Sequence, residues 1–241
     1  MSYILFLETA TKICSVAVAN NETLISLKET SVVNSHSSLI TLYAEEVIKE
    51  AKIEFSDLAT VCVSMGPGSY TGLRIGVSTA KGFCYALNIP LIAVNTLQSM
   101  AKLYSIEHPE LKKDTLLCPM IDARRMEVFT AFFDKQASFI RETKADIINE
   151  ESYSDILSKN KVIFFGDGAE KCRQFLSQNS NSQFDDTFLV SAKGMISLAF
   201  QKFQNKQFEN TAYFEPYYLK DFVATIPRKL TDTIKARKTG M

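Results

Sequence analysis

Apolar and polar positions alternate along the first thirty residues and then change to a helical period. The alternation predicts three antiparallel strands over residues 3–9, 14–20 and 23–29, joined by short turns. The helical period predicts a helix from about residue 35 to residue 52. Further along, the pattern predicts a strand at 61–65, a helix at 72–87, a strand at 89–94 and a helix at 97–104.

The second half repeats this order of elements. Strands are predicted at 116–122, 127–134 and 138–144, and helix, strand, helix, strand and helix then follow at 153–158, 162–165, 169–178, 188–190 and 195–203. The polar connection 108–113, which contains Pro109, is the predicted domain boundary. We therefore predict a mixed α/β protein with lobes at 1–107 and 108–220, followed by a tail at 221–241.

Composition and charge exclude several classes of protein. Among the 241 residues, 27 basic and 27 acidic side chains give a formal charge of zero, so no global field attracts nucleic acid. The five cysteines are odd in number and widely spaced, which fits buried small hydrophobes better than disulfides or a zinc site. No window approaches the ~20 apolar residues of a membrane span, and no basic leader is seen. We expect a cytoplasmic protein with no membrane partner.

The most informative motif is GPGSYTGLRIG at residues 66–76, which joins an apolar strand to a nearly uncharged helix. Its early glycines permit a tight turn, and Ser69 or Thr71 can cap the helix. The motif lacks the lysine of a P-loop, and the next strand ends at Asn95 without the acid of a dinucleotide site. On local chemistry alone, a turn that binds no ligand remains open.

Taken with other landmarks, this motif resembles the TsaB family, also called YeaZ. The landmarks are an opening strand ending in Glu8-Thr9, where the family usually has an aspartate before the threonine, then His36, IDAR at 121–124 and PYYL at 216–219. The resemblance implies the actin, Hsp70 and sugar-kinase (ASKHA) fold with two RNase H-like lobes. It also implies a non-catalytic scaffold or activator of a TsaD-type transferase, acting with a TsaE-type ATPase in forming N6-threonylcarbamoyladenosine on tRNA, and a homodimer.

In that superfold, nucleotide phosphates lie between hairpin turns from the two lobes. In this chain the first turn has no glycine and the second turn has an acid but again no glycine. We expect no cofactor in the isolated chain, with ATP or ADP at an assembled interface as the alternative. The candidate nucleotide residues are Thr9, Thr11, Lys12, Asp122, Gly166 and Gly168.

Two catalytic alternatives are weighed against this interpretation. A small-metabolite kinase of the same superfold should have a glycine near Glu8 or Asp122, and none is present. A metallopeptidase of the glycoprotease type should have paired histidines, but His36 is followed four residues later by Ile40, and His108 stands alone. Neither HExxH nor GxSxG occurs, so we expect no metal and no catalytic residue.

A partner surface is predicted on two helices. The helix after His36 has apolar positions around about half its circumference, more than its own core needs, and the helix after Gly72 has few polar residues. The alternative is that both helices are ordinary core. The candidate interface residues are Leu39, Leu42, Tyr43, Val47, Gly72, Arg74, Gly76 and Ala80, where the two glycines are expected to let another helix approach.

The carboxyl end is basic. Residues 220–241 hold six basic and two acidic side chains, and little apolar periodicity is seen after residue 227. A mobile tail is therefore expected. Contact with tRNA is expected to be indirect or to run through this tail.

Overall fold

The computed structural model describes residues 2–32 and 36–220. The predicted tail at 221–241 and the first predicted residue of the first helix, Ser35, lie outside the described residues. The first half contains β1 (Tyr3–Glu8), β2 (Cys14–Asn20), β3 (Thr23–Thr30), α1 (His36–Glu50), β4 (Leu58–Gly66), α2 (Tyr70–Leu87), β5 (Leu91–Asn95) and α3 (Thr96–Glu107). The second half contains β6 (Thr115–Asp122), β7 (Glu127–Phe133), β8 (Phe139–Ile147), α4 (Ser154–Leu157), β9 (Lys161–Phe165), α5 (Ala169–Leu176), β10 (Ser182–Asp185) and α6 (Ile196–Gln204), with 3₁₀ turns at Phe55–Asp57 and Ala192–Met195.

The two halves build sheets of the same topology. The first sheet has the order β3-β2-β1-β4-β5 and the second has the order β10-β9-β6-β7-β8. In each sheet three strands pair antiparallel, a fourth then pairs parallel with the first of them, and a fifth pairs parallel with the fourth. This duplicated arrangement, with helices on both faces, confirms the predicted ASKHA fold with two RNase H-like lobes.

Alternation along each strand divides the first lobe into two cores. In β1, Leu5 and Leu7 pack with α1 and α2 on one face of the sheet. Ile4 and Phe6 face the other side and pack with residues of α6, which belongs to the second half of the chain. Both faces of the sheet are therefore covered, which explains why β1 is apolar almost throughout.

The second lobe receives a helix from the first half in return. One face of the second sheet packs with α4 and α5, whereas Leu97, Met100 and Tyr104 of α3 cover the other face of that sheet. Where α3 crosses the turn before α6, a Cβ on Gly194 would lie 2.3 Å from the carbonyl oxygen of Ser99. The boundary predicted at residue 108 separates the two sheets along the sequence. However, α3 and α6 each pack on the sheet that the other half of the chain forms. The domain limits themselves stay a prediction.

One predicted element is wrong. A strand was expected at 188–190, but the fifth strand of the second sheet is Ser182–Asp185. Phe188 and Val190 are apolar because they pack against the core beside α3, not because they pair in the sheet. The real strand lies at the edge and is mostly polar, so its sequence carries little of the alternation that reveals a strand.

The chain returns to the first lobe after α6, through residues 208–220, which we call the C-terminal strap. The strap begins with a backbone hydrogen bond from Glu209 to Leu91 (2.9 Å), and Tyr217 N–H donates to Met65 O (2.7 Å). Lys81 of α2 donates to the carbonyl oxygens of Ala212 and Phe214, each at 3.1 Å. The sequence pattern did not predict this return.

The five cysteines are free and buried, which confirms the sequence expectation. Across the described part of the chain, no helix combines the length and apolar character that a membrane crossing would need.

Candidate functional site

The glycine motif packs on the turn between β1 and β2, which we call the first hairpin turn (residues 9–13). Ser69 N–H donates to Ala10 O (2.7 Å), and the Ser69 hydroxyl caps α2 by accepting from Gly72 N–H (3.2 Å). A Cβ on Gly68 would lie 2.3 Å from Ala10 O, so only glycine fits there. The loop is therefore closed by the protein's own backbone.

Gly72 and Gly76 let α2 approach the end of β1. The Thr9 hydroxyl donates to Gly72 O (2.8 Å), and a Cβ on Gly76 would lie 2.3 Å from Thr9 Oγ1. The sequence interpretation, in which these glycines admit a second helix, is wrong. Their neighbour is a strand end of the same lobe, because α2 must lie close to Thr9 to bury its apolar face.

The second lobe repeats this construction at the turn between β6 and β7, which we call the second hairpin turn (residues 123–126). Gly168 N–H donates to Met120 O (3.0 Å). A Cβ on Gly166 would lie 2.5 Å from Met120 O, and one on Gly168 would lie 2.9 Å from the carbonyl carbon of Ile121. Both glycine loops are thus occupied by strand ends of their own lobes.

The candidate nucleotide residues lie at the ends of the two hairpins, and several already have partners within the chain. Thr9 is bonded as described, and Thr11 Oγ1 accepts from Ile13 N–H (3.2 Å). Asp122 forms an ion pair with Lys171, whereas Lys12 is exposed. Nucleotide binding by these residues stays a prediction.

The charged groups of the second hairpin turn form a compact network. Lys171 Nζ binds the Asp122 carboxylate and the carbonyl oxygens of Arg125 (2.8 Å) and Glu127 (2.7 Å). Burial alone would raise the pKa of Asp122, but the Lys171 ammonium and the Arg124 amide outweigh it and hold that pKa below its usual value. The network fixes the backbone of the turn.

Glu8 is a buried carboxyl that the sequence interpretation did not single out. Its side chain is fully buried at the end of β1, and Oε1 accepts from Ala10 N–H (2.7 Å). Oε2 has no hydrogen-bond partner among the described residues. Burial raises the pKa of Glu8 to about 7, although the Ala10 amide acts in the opposite direction. The one sign of this site in the sequence was the glutamate itself, which stands where the resembled family usually has an aspartate.

The predicted partner surface lies on α1 and α2, which pack side by side on one face of the first sheet. Val47 and Ala80 are completely buried in that core, so their assignment to a partner interface is corrected. Gly72 and Gly76 are buried against Thr9 as well. The predicted residues that remain at the surface are exposed Leu42 and Arg74 and half-buried Leu39 and Tyr43.

The strap adds aromatic side chains beside α2 that the sequence interpretation missed. The Arg74 guanidinium lies 4.2 Å from the centre of the Tyr70 ring, and Arg74 Nε donates to the Tyr218 hydroxyl (3.3 Å). Tyr70 and Tyr218 are in ring contact at 4.9 Å. Tyr213 is almost fully exposed. The PYYL segment was a possible signal, but only the fold brings it to α2.

The two histidines have separate partners. His36 Nε2 donates to Thr11 O (3.0 Å), which ties α1 to the first hairpin turn. His108 Nδ1 lies 3.0 Å from the Glu110 carboxylate. Within residues 2–32 and 36–220, no cluster of three His, Cys, Asp or Glu side chains could hold a metal ion.

Comparison with known proteins agrees with the fold. The family described as "TsaD: tRNA N6-adenosine threonylcarbamoyltransferase" matches residues 29–228. The "tRNA threonylcarbamoyladenosine biosynthesis protein TsaB" of Bacillus subtilis is 30% identical over 201 residues, covering 82% of this chain and 81% of that protein. The protein of the same description from Escherichia coli is 27% identical over 229 residues, covering 92% and 96%. The structure of "YeaZ from Pseudomonas aeruginosa" superposes with a TM-score of 0.73 at 22% identity, covering 91% of this chain and all of that one.

The fold and the site define a two-lobed actin-like protein whose glycine loops are filled by its own hairpins. The sequence identity and the length of the matches identify the family within this class of proteins. The chain belongs to the TsaB family, also called YeaZ.

Proposed function

We propose that this chain is a non-catalytic subunit that binds and activates a TsaD-type transferase in forming N6-threonylcarbamoyladenosine on tRNA, in the cytoplasm. Its relatives are named as biosynthesis proteins of that nucleoside. A TsaE-type ATPase is the further partner, and ATP or ADP binds at the assembled interface. The alternative is a small-metabolite kinase of the same superfold.

The observation that carries the proposal is Leu42, a leucine left 45% exposed on a helix whose core face is already filled. Ile40, Ala44, Val47 and Ile48 form the buried face of α1. Leu42 lies outside that face, with half-buried Tyr43 next to it. An apolar side chain that its own lobe does not bury is available to a partner.

The backbone contacts of the two glycine loops support a non-catalytic role. Gly68 lies against Ala10 and Gly168 against Ile121, and the amides of Ser69 and Gly168 already bond to Ala10 O and Met120 O. A kinase needs backbone amides or a Lys near the transferred phosphoryl group. These contacts therefore favour the partner role over the kinase alternative.

One surface cannot serve two partners at once. We propose that the homodimer and the complex with the TsaD-type transferase both use the exposed side of α1 and α2, with Leu39, Leu42, Tyr43 and Arg74. The two associations then compete. Adding the transferase to the homodimer is expected to release monomers of this chain.

The test is Leu42→Glu, measured by analytical ultracentrifugation for the homodimer and by calorimetric titration with the TsaD-type partner. A charge placed in an apolar contact is expected to weaken both associations by about 100-fold. Ile140→Glu is the matched control, because Ile140 is an exposed isoleucine on β8 of the other lobe. If folded Leu42→Glu associates as the wild type does, the proposed surface is wrong.

A further inference from the structure

The tip of the second hairpin turn holds two successive arginines in a backbone conformation that side chains disfavour. Arg124 has a φ of 70° and Arg125 a φ of 51°. Ala123 N–H donates to Glu127 O (3.1 Å) and Glu127 N–H donates to Arg124 O (3.2 Å), so the turn is closed by backbone bonds on both sides. Glycine, asparagine or aspartate would adopt these left-handed angles at lower cost.

Two other cations share this conformation, but for a visible structural reason. Lys52 (φ 56°) and Lys206 (φ 55°) follow α1 and α6. A single left-handed residue commonly closes a helix, and here the amides of Ile53 and Gln207 bond back to Ile48 O and Lys202 O. The arginine pair closes no helix. No such backbone role accounts for arginine at these two positions, which points to a use for the side chains.

The acids around the tip are already paired. Asp122 is paired with Lys171, and Glu127 is paired with Lys220. Asp167 Oδ1 accepts from Asp122 N–H (3.0 Å). By contrast, Arg124 and Arg125 are both exposed, and within the described ranges no hydrogen bond or ion pair engages either guanidinium.

A third exposed cation lies on the other lobe. Lys12 belongs to the first hairpin turn, and it is close enough to Asp122 and Asp167 for its charge to lower the pKa of both carboxyl groups. The two hairpin turns thus carry three exposed cations, Lys12 on one lobe and the arginine pair on the other. The positive charge is local, since the whole chain has a formal charge of zero.

Guanidinium groups suit phosphate, because their planar donors match its oxygens. A small nucleotide phosphate would also need backbone amides, and in the glycine loops the amides of Ser69 and Gly168 already bond to Ala10 O and Met120 O. Two exposed neighbouring arginines fit a polyanion with repeated phosphates better. We propose that Arg124 and Arg125, with Lys12 of the first hairpin turn, bind the phosphate backbone of RNA. The inference rests on the proposed function, in which the complex acts on tRNA.

The test compares two double variants of the full chain. Arg124→Gly with Arg125→Gly removes both guanidinium groups and suits the left-handed backbone. Lys52→Gly with Lys206→Gly is the matched control, because it also removes two exposed cations at positive φ, far from both hairpin turns in sequence. Each protein is titrated by fluorescence anisotropy into a labelled, unmodified tRNA transcript at several salt concentrations, alone and with the TsaD-type partner. Mg·ATP is titrated in a separate arm.

The arginine variant is expected to lose about tenfold or more in tRNA affinity, since two charge-assisted contacts disappear. Its slope of log affinity against log salt should fall by roughly 1.4 to 1.8, the contribution of two phosphates. Its melting temperature should be unchanged or higher, and the control should bind tRNA as the wild type does.

Equal tRNA affinity and salt slope in the two double variants would overturn the inference. So would a variant that loses Mg·ATP binding while it keeps tRNA binding, because the ligand would then be a nucleotide. Association with the TsaD-type partner is measured separately. If the wild type fails to bind that partner, the proposed function fails, and tRNA binding by the chain alone still decides the inference.

Discussion

The buried carboxyl of Glu8 gives this protein a stability that depends on pH near neutrality. In the unfolded chain the carboxyl ionises above its ordinary pKa of 4.5, whereas in the folded chain burial raises the pKa to about 7. Between these values the native state binds more protons than the unfolded state. The free energy of unfolding therefore falls as pH rises from 4.5 to 7 and levels off above that.

The magnitude follows from the shift. Each pKa unit is worth about 1.4 kcal/mol, so the raised pKa of Glu8 costs on the order of 3 kcal/mol at pH 8 compared with pH 4.5. Glu8→Gln removes the ionisation and keeps the shape. It also keeps an oxygen that can accept from Ala10 N–H, as Oε1 does at 2.7 Å.

The assay is urea unfolding of wild type and Glu8→Gln at pH 5, 6, 7 and 8. The difference in unfolding free energy between the two proteins should move in favour of the variant by about 2 to 3 kcal/mol from pH 5 to pH 8. Glu45→Gln, which removes an exposed carboxyl of α1, controls for the loss of charge. If the difference between wild type and Glu8→Gln is the same at every pH, the carboxyl is not held protonated by burial and the reasoning fails.

Two further predictions concern packing and catalysis. Gly76→Ala should destabilise the protein by about 1 to 3 kcal/mol, because its Cβ would lie 2.3 Å from Thr9 Oγ1, whereas Gly82→Ala in the same helix meets nothing within 4 Å and should stabilise it by about 0.5 to 1 kcal/mol. Thermal unfolding of the two variants checks this, and equal shifts would contradict the close approach. The purified chain alone should not hydrolyse ATP or cleave peptides, because its two hairpin turns lack glycine and its two histidines stand far apart in the sequence. Turnover that persists through purification and disappears in Asp122→Ala would show that this expectation is wrong.

Much of the fold could be predicted because local patterns report which residues are buried. Alternation gave β1, β2 and β3 nearly to the residue, and the helical period gave α1 and α2. The order of elements, repeated in the second half, was enough to predict two similar lobes. The glycine motif predicted a strand, a tight turn and a helix capped by Ser69 or Thr71, and all three are present, with Ser69 as the cap. These features depend on contacts near in sequence, or only on burial.

Only the tertiary structure decided what each buried face touches. The sequence shows that α3 and α6 are amphipathic, but not that each covers the sheet of the other half. It shows glycines at 72 and 76, but their partner is Thr9, more than sixty residues earlier. Periodicity measures how much surface a segment buries and carries no information about the neighbour, which is chosen by the way distant segments fill space together.

The candidate sites also divide into those that the sequence pattern indicates and those that only the fold reveals. Leu42 could be identified from the helical pattern, because it lies outside the apolar arc of α1. The burial of Glu8, the strap beside α2 and the unpaired arginines of the second hairpin turn could not be, because each depends on groups that lie far apart in the sequence. A charged residue is written the same way in a sequence whether it is paired, buried or free. Its surroundings in the folded chain determine which of these it is.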